Sequence, residues 1–577
     1  NFASIPVDDP SDGINWTKVD LPSDCKNGVG NNTFIMVRKG TENKLLIYLE
    51  GGGACSSYGS CGGPSSTVTT LEPEFDTGIR PLKTTYVKGI FDVKNPLNPF
   101  RNWTMVFVPY STGDIHMGNR VVKYYNVSNP AQNKTIYHVG YVNAIVAMRW
   151  INASGDFDPI VVTGSSAGGF GTILHFYRAS EIFGKGVIAI NDAGPGTAPN
   201  VTSPFQLGTT AERWGAMQNY PLQSLQYFAG TDTLKFLNWA LNASAGGCGN
   251  CIYALFEDQW DFVIGPYFQG YSFPDYQARL LSVVANIKAN FSNRFCSYLP
   301  LSTYHTAFAG GYNYPAGDRF YNLNIDGYKL VQWINDVLSG NCVDKTDAGL
   351  RDLQVEILSA PSTAVVGETY NITVKVSNVG SNATPDPFFV ILSSGGTTLG
   401  YKVLSLPANS NTTVNFTWTP STTGNYQLNV TVDGLIVPAL ATLLPLGSVV
   451  ELLNPYSEAN NMASIAVTVS APHTTPPTPT PTPTKPRPVG GGGGLGGGAY
   501  IPGVPIYTSY YLTLKANKET EFKLPSGAFE ETKVLAIIAI SPEDNVVRFR
   551  IERLKDLPPG IPKPEGVVAL ILSIEPT

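Results

Sequence analysis

The stretch Val161–Phe170 constrains the fold of this chain more than any other. It reads Val-Val-Thr-Gly-Ser-Ser-Ala-Gly-Gly-Phe, so a β-branched apolar run leads into a Gly-x-Ser-x-Gly pattern. Apolar residues at helical spacing follow, among them Ile173 and Phe176. A sharp strand-to-helix turn that carries a serine strains the backbone and needs glycines on both sides. The stretch therefore predicts an α/β fold in which Ser166 sits exposed at such a turn.

A second apolar run ends in glycines further upstream. Leu45–Leu49 is followed by Glu50 and then by Gly51, Gly52 and Gly53. A flexible turn is the simplest interpretation, but it rarely needs three glycines directly after an apolar strand. Esterases with an α/β-hydrolase fold use a glycine loop of this kind to hold an oxyanion. We therefore predict that the amides of Gly52, Gly53 and Ala167 form an oxyanion hole.

Four blocks of the sequence together resemble a known family. They are Leu49–Cys55 (LEGGGAC), Asn98-Pro-Phe with Trp103, Val108–Asn119 (VPYSTGDIHMGN) and the GSSAGG turn. Their order and spacing are similar to those of the pectin acetylesterase/Notum family of carboxylesterases, over residues 14–340. The resemblance implies an α/β-hydrolase fold and a serine esterase that needs no cofactor and no metal.

A serine nucleophile needs a base within hydrogen-bond reach, and the chain has five histidines. His473 lies in a Pro/Thr-rich segment. His116, His138 and His175 suit structural or substrate-contacting roles better. His305 follows the serine in the chain, as the order of an α/β-hydrolase triad requires, and it matches the position of the catalytic histidine in the family.

The acid of the triad stays open among three carboxylates. The predicted strand Ile252–Phe256 is followed by Glu257, Asp258 and, three residues further, Asp261. Trp260-Asp-Phe-Val fits the family pattern best and favours Asp261, with Asp258 as the alternative acid and Glu257 behind it. Asp192 comes too early in the chain for this role, and we expect it to shape the pocket.

The pattern of the chain changes near residue 350. We predict an α/β-hydrolase-like domain over 1–348, with helices at 141–150 and 326–338. Strands that alternate apolar and polar residues then predict a β-sandwich over 349–471, which resembles the immunoglobulin-like CARDB domains. A Pro/Thr- and Gly-rich linker follows over 472–500, and a small β domain over 501–577. Such sandwiches usually act as spacers.

Composition favours an exported protein. The formal net charge of −6 gives no sign of a basic surface, so we expect no nucleic-acid partner. The sequence has no run of eighteen or more apolar residues, so we expect no transmembrane segment. The chain begins with Asn rather than Met, so we expect a mature secreted or cell-surface product. Glycosylation candidates of the form Asn-x-Ser/Thr occur at Asn15, Asn31, Asn102, Asn126, Asn133, Asn152, Asn200, Asn242, Asn290, Asn371, Asn382, Asn411, Asn415 and Asn429.

All seven cysteines lie in the hydrolase-like part, and an odd number leaves one thiol over. Export makes disulfides the expected state, although spacing alone does not give their connectivity. Bridges Cys55–Cys61 and Cys296–Cys342 would brace the glycine loop and the end of the domain. Cys248-Gly-Asn-Cys251 has no second CxxC or nearby His, so a local disulfide is expected rather than a zinc site.

Two functions compete at this point. The first is a secreted or surface-displayed serine carboxylesterase that removes acetyl-like acyl groups from polysaccharide or glycoprotein. The second is a structural subunit of an extracellular filament, sheath or adhesion assembly that is built on a hydrolase-like domain. The modular tail favours the second, and residues 472–577 would then join copies of the chain into a homo-oligomer or filament.

Overall fold

The computed structural model describes residues 2–12, 15–61, 88–126, 129–200, 213–228, 232–309, 318–432 and 460–472, together with five strands between 507 and 576. Two compact units divide the chain, Asn1–His473 and Thr474–Thr577. The predicted linker 472–500 lies almost entirely outside the described residues. The predicted domain boundaries stay predictions.

A nine-stranded sheet forms the centre of the first part of the chain, in the order β1-β2-β4-β3-β7-β8-β9-β10-β13. The strands β1 and β2 pair antiparallel at one edge, and from β4 onwards every pair is parallel. The strands of this part are β1 (Thr17–Asp20), β2 (Phe34–Arg38), β3 (Glu42–Leu49), β4 (Trp103–Val108), β5 (Arg120–Tyr124), β6 (Lys134–His138), β7 (Ile160–Ser165), β8 (Ile188–Asp192), β9 (Ile252–Phe256), β10 (Phe295–Leu299), β11 (Asn324–Ile325), β12 (Tyr328–Lys329) and β13 (Lys345–Thr346).

Helices cover both faces of this sheet. The α-helices are α1 (Gly140–Asn152), α2 (Ala167–Phe183), α3 (Leu225–Phe228), α4 (Leu237–Ala240), α5 (Phe273–Phe291), α6 (Arg319–Asn322) and α7 (Leu330–Leu338). Short 3-10 turns lie at Phe2–Ser4, Pro10–Asp12, Gly89–Phe91, Pro130–Gln132, Met217–Asn219, Leu222–Ser224, Thr233–Phe236 and Ala243–Ala245, and a π-helix at Val263–Gln269. The α/β class predicted from the sequence is confirmed.

The side chains of successive residues in the buried strands pack alternately into two separate hydrophobic cores, one on each face of the sheet. In β3, Leu45, Ile47 and Leu49 pack with α1, α2 and α5, whereas Leu46 and Tyr48 point to the opposite face and pack with α7. Side chains alternate between the faces of a strand, and a parallel sheet covered on both faces buries every one of them. This is why Leu45–Leu49 is apolar throughout, and why the sheet edge after β3 and β7 is held rigidly.

The helix expected over 326–338 begins later than the sequence predicted. Asp326 has a φ of 50° and Gly327 a φ of 83°, which makes a tight turn between β11 and β12. The helix α7 then starts at Leu330. Apolar spacing marked the buried face of α7 correctly, but two residues in the left-handed region cannot continue a helix.

Two sheets form the sandwich that follows. One has the order β14-β16-β19, and the other β15-β21-β20-β17-β18. The strands are β14 (Leu353–Ser359), β15 (Thr363–Val365), β16 (Tyr370–Asn378), β17 (Phe388–Ser394), β18 (Thr397–Leu404), β19 (Ser410–Trp418), β20 (Gly424–Val432) and β21 (Met462–Ser470). Alternate residues of β16 and β20, such as Val374 and Val430, fill the space between the sheets. The predicted β-sandwich is confirmed.

The second unit contains five described strands. They are β22 (Tyr507–Leu514), β23 (Thr520–Lys523), β24 (Ala536–Ala539), β25 (Asn545–Arg553) and β26 (Ala569–Pro576). All described pairs are antiparallel, in the orders β22-β25-β26 and β23-β24. Four of these strands overlap the apolar, strand-like runs of the sequence at 510–514, 534–540, 546–551 and 567–574, whereas β23 was not predicted.

Three disulfides are present, and they join the pairs that the sequence analysis considered: Cys55–Cys61, Cys248–Cys251 and Cys296–Cys342. The first closes the loop directly after the glycine run. The third ties β10 to the segment that follows α7. Cys25 is the remaining thiol, and it is buried.

Candidate active site

Ser166 lies in a strained turn between β7 and α2. Its φ is 55° and its ψ is −118°, a conformation that a non-glycine residue adopts only when its surroundings impose it. The backbone amide of Ser166 donates to the Asp192 carbonyl at 2.8 Å, and Phe170 closes the first helical turn onto Ser166 at 3.0 Å. The turn predicted from the Gly-x-Ser-x-Gly pattern is therefore formed.

The two glycines of that pattern are required by close backbone contacts. A Cβ on Gly168 would lie 1.9 Å from the Leu49 carbonyl oxygen, and one on Gly164 would lie 2.5 Å from the same atom. Neither distance is sterically allowed. Because Leu49 ends β3, the glycines let the start of α2 pack against the end of the neighbouring strand.

The glycine loop after β3 lies at the same sheet edge. Gly52 has a φ of 154° and Gly53 a φ of 82°, values that favour glycine. Tyr110 donates its hydroxyl to the Gly53 carbonyl at 2.8 Å. Among the described residues, none accepts a hydrogen bond from the backbone amides of Gly52, Gly53 or Ala167. These three amides are thus available to a ligand.

A small cavity that opens to solvent adjoins Ser166. Gly53 and Ala167 line it, so two of the three predicted oxyanion-hole residues share this space with the serine. The other walls are mostly apolar and include Ile115, Phe170, Ile264 and Phe268. Such a cavity accommodates an apolar group next to a reactive hydroxyl.

His305 is hydrogen-bonded to Asp261. The Nδ1 atom of His305 lies 2.7 Å from Asp261 Oδ2, and Asp261 is fully buried. The other oxygen of Asp261 accepts from the Ile264 amide at 2.9 Å, which fixes the carboxylate. A buried carboxylate on Nδ1 leaves Nε2 as the atom that can accept a proton.

The two competing carboxylates have other partners. Asp258 binds Arg319 through both oxygens, at 2.6 and 2.7 Å. Burial raises the pKa of Asp258, and the Arg319 guanidinium acts against that rise. Glu257 accepts from the Tyr276 hydroxyl at 2.6 Å, and burial together with the neighbouring Asp261 holds its pKa well above the usual value. Of the three, the structure brings Asp261 to His305.

Asp192 connects the serine turn with the histidine loop, a role that the sequence did not indicate. Its side chain accepts from the amides of Ala307 and Phe308 at 2.9 and 3.0 Å, and also from the Ser165 hydroxyl. Its carbonyl holds the Ser166 amide. The sequence placed Asp192 near the pocket only as a residue that follows a strand, and no spacing signal relates it to residue 307.

Three other histidines are buried and bound to backbone carbonyls. His116 contacts the Glu50 carbonyl, His138 the Thr112 carbonyl and His175 the His116 carbonyl, at 2.8, 2.7 and 2.6 Å. Burial lowers their pKa values to about 3, 4 and 4, so they stay neutral. These contacts support the structural roles expected for them. His473 lies outside the described residues.

Several further expectations can be placed on the structure. None of the fourteen candidate glycosylation asparagines is buried. Within the described ranges, no group of three His, Cys, Asp or Glu side chains is arranged to hold a metal ion. No helix in that part of the chain is long and apolar enough to cross a membrane.

Two family models match parts of this chain. Residues 25–196 match the model of the family described as Pectinacetylesterase, which includes the glycine loop and the serine turn. Residues 350–435 match the CARDB family. These two matches confirm the resemblance drawn from the sequence. The match to the pectinacetylesterase model supports an esterase activity.

Two solved structures are similar to parts of this chain. The Wnt deacylase Notum from Drosophila is 16% identical over 58% of this chain and 96% of its own, with a TM-score of 0.41. The CARDB domain of the PF1109 protein from Pyrococcus furiosus, solved with di-metal ions, is 31% identical over 21% of this chain and 90% of its own, with a TM-score of 0.17. No curated protein gives a significant match.

Proposed function

We propose that the chain is a serine carboxylesterase with Ser166 as nucleophile, His305 as general base and Asp261 as the acid of the triad. The observation that carries the proposal is the strained Ser166 turn beside a cavity that Gly53 and Ala167 also line. The 2.7 Å contact between His305 and Asp261 supplies the second half of the machinery. Among the described residues, His305 is hydrogen-bonded to Asp261 and not to Ser166. We propose that Ser166 Oγ and His305 Nε2 come within hydrogen-bond reach when the substrate is bound.

The chemistry proceeds through an acyl-enzyme. Ser166 Oγ attacks the ester carbonyl carbon while His305 Nε2 takes the hydroxyl proton, and Asp261 stabilises the imidazolium. The carbonyl oxygen becomes an oxyanion and accepts hydrogen bonds from the amides of Gly52, Gly53 and Ala167. When the intermediate collapses, the C–O bond to the alcohol breaks and His305 returns the proton to the leaving oxygen. Water then repeats the sequence and releases the acid and free Ser166.

The lining of the cavity and the family match support a substrate class. Ile115, Phe170, Ile264 and Phe268 surround the place where the acyl group would lie, and none of them carries a charge. We propose an acetyl-like acyl group on a polysaccharide or glycoprotein alcohol. Three disulfides and fourteen sequons without a buried asparagine support an extracellular or cell-surface location.

Hydrolysis of p-nitrophenyl acetate by the full chain tests this function. Ser166→Ala should abolish turnover, whereas Ser180→Ala should not, because Ser180 lies towards the end of α2 and its hydroxyl donates to the Tyr177 carbonyl at 2.7 Å. A fluorophosphonate probe should react with Ser166 and with no other serine of the chain. A wild-type chain that is inert towards acyl esters and acetylated glycans, and that stays unlabelled, would overturn the esterase and leave the structural subunit of an extracellular assembly.

A further inference from the structure

A buried arginine connects the CARDB domain to the catalytic loops. Arg319 is fully buried between Asp258 of the hydrolase part and Asp386 of the sandwich. It donates to the two oxygens of Asp386 from Nε at 3.1 Å and from Nη2 at 2.7 Å. Its Nη1 and Nη2 atoms also donate hydrogen bonds to the two oxygens of Asp258, at 2.7 and 2.6 Å. A planar guanidinium between two carboxylates has one allowed orientation, which both partners fix.

The same guanidinium reaches the backbone next to His305. Its Nη1 atom donates to the Thr306 carbonyl at 2.9 Å. Thr306 has a φ of 62°, an unfavourable conformation for a β-branched residue that surrounding contacts must maintain. Arg319 holds the carbonyl of Thr306, and Asp192 holds the two amides after it. Together they set the path of the chain on which the His305 imidazole is mounted.

Asp386 is presented rigidly from the sandwich. It lies between Pro385 and Pro387, just before β17, and its side chain is almost completely buried. The Pro385 carbonyl accepts from the Asn324 amide at 3.4 Å, and the Pro387 carbonyl accepts from the Tyr304 hydroxyl at 3.5 Å. Tyr304 precedes His305. The sandwich therefore contacts the histidine loop through Tyr304 and the strand β11 through Asn324.

From these contacts we propose that Asp386 is a positioning residue for the esterase reaction, so that the CARDB domain completes the active site. This rests on the proposed function. Asp386 orients Arg319, Arg319 holds Thr306, and Thr306 fixes His305 against Asp261. Without the Asp386 carboxylate, the guanidinium keeps one charged partner and can rotate away from Thr306. A small displacement of a catalytic group lowers turnover by one to two orders of magnitude.

The exchange Asp386→Asn in the full chain tests the proposal. It keeps the shape of the side chain and removes the charge. Asn382→Ala is the matched control, because Asn382 also joins the two domains, through Asp326 at 3.0 Å, but it does not contact Arg319. We expect kcat per folded molecule to fall about tenfold in D386N, with KM changed less than about twofold, and both constants to be unchanged in N382A.

A spectroscopic measurement reports on the histidine without any substrate. The Nδ1 proton in the His305–Asp261 hydrogen bond should give a downfield resonance that is absent in His305→Gln. We expect it to weaken or broaden in D386N and to persist in N382A. If Asp386 only holds the two domains together, D386N should lower the melting temperature and leave this resonance and kcat unchanged. That result would overturn the proposal.

The outcomes separate the two proposals. A wild-type chain without ester turnover or Ser166 labelling refutes the esterase, and the resonance still decides the role of Asp386. An active wild-type chain whose D386N variant keeps the kcat of N382A refutes the positioning role alone. If D386N does not fold, Asp386→Glu takes its place, because it keeps the charge and displaces the carboxylate by one methylene. Unchanged kcat and resonance in D386E then refute the proposal.

Discussion

Replacing Asp261 by Asn should remove most of the esterase activity through the tautomer of His305. The Ile264 amide donates to Asp261 Oδ1 at 2.9 Å, so an asparagine would keep its oxygen there and turn its NH₂ group towards His305 Nδ1. Two donors would then face each other, and the imidazole would move its proton to Nε2, where it can no longer accept from Ser166. An exchange of this kind lowers kcat about 10⁴-fold, equivalent to about 5 kcal/mol of transition-state stabilisation.

Asp258→Asn is the matched comparison, because it removes a buried carboxylate only three residues away. It breaks the ion pair with Arg319, so we expect a loss of about 3–5 kcal/mol in the free energy of unfolding. Its kcat should fall only about tenfold, because Arg319 would then be held by Asp386 alone. Ester turnover per folded molecule and urea unfolding of both variants measure the contrast. Greater loss of kcat in D258N than in D261N would refute the assignment of the acid.

Three further outcomes follow from the structure. Replacing both Cys296 and Cys342 by serine removes a disulfide that closes a loop with a sequence separation of 46 residues. The free energy of unfolding, measured by urea titration, should fall by about 4 kcal/mol, and Cys248→Ser/Cys251→Ser is the comparison. Burial lowers the pKa values of His138 and His175 from 6.5 to about 4, so between these two pH values the unfolded chain binds more protons than the folded chain. The melting temperature should therefore fall when the pH is lowered from 7 to 5, and it should fall less in His175→Gln. If residues 472–577 join copies of the chain, light scattering should show an assembly for the full chain and a monomer for a chain ending at Pro472; equal monomers would exclude it.

The parts of the site that depend on backbone conformation could be predicted from the sequence. Gly51, Gly164 and Gly168 lie where the backbone of a neighbouring segment comes too close for a Cβ, and Gly52 and Gly53 have positive φ values. Such steric requirements concern only a few neighbouring residues, and each of them selects glycine at a particular position of the sequence. The strands are equally visible, because burial on both faces selects continuous apolar runs. The start of α7 was missed because Gly327 acts through one turn within an otherwise helical pattern.

The choice of acid could not be made in this way. Glu257, Asp258 and Asp261 follow the same strand within five residues, so all three lie near the sheet edge. Their partners come from elsewhere: Tyr276 from α5, Arg319 from α6 and His305 from the loop after β10. One buried carboxylate contacts a phenol, one a guanidinium and one an imidazole. The role of each carboxylate therefore depends on tertiary contacts, which a local sequence pattern does not encode.

Asp192 and Asp386 show the same limit more sharply. Each is a single aspartate at a strand end, and each holds the His305 loop from a different side of the fold. Asp192 acts on the amides of residues 307 and 308, and Asp386 on the Thr306 carbonyl through Arg319. A strained loop stays in place only when its polar backbone groups are held from outside. In our proposal, the position of His305 therefore depends on a residue of a domain that, from its sequence, would be interpreted as a spacer.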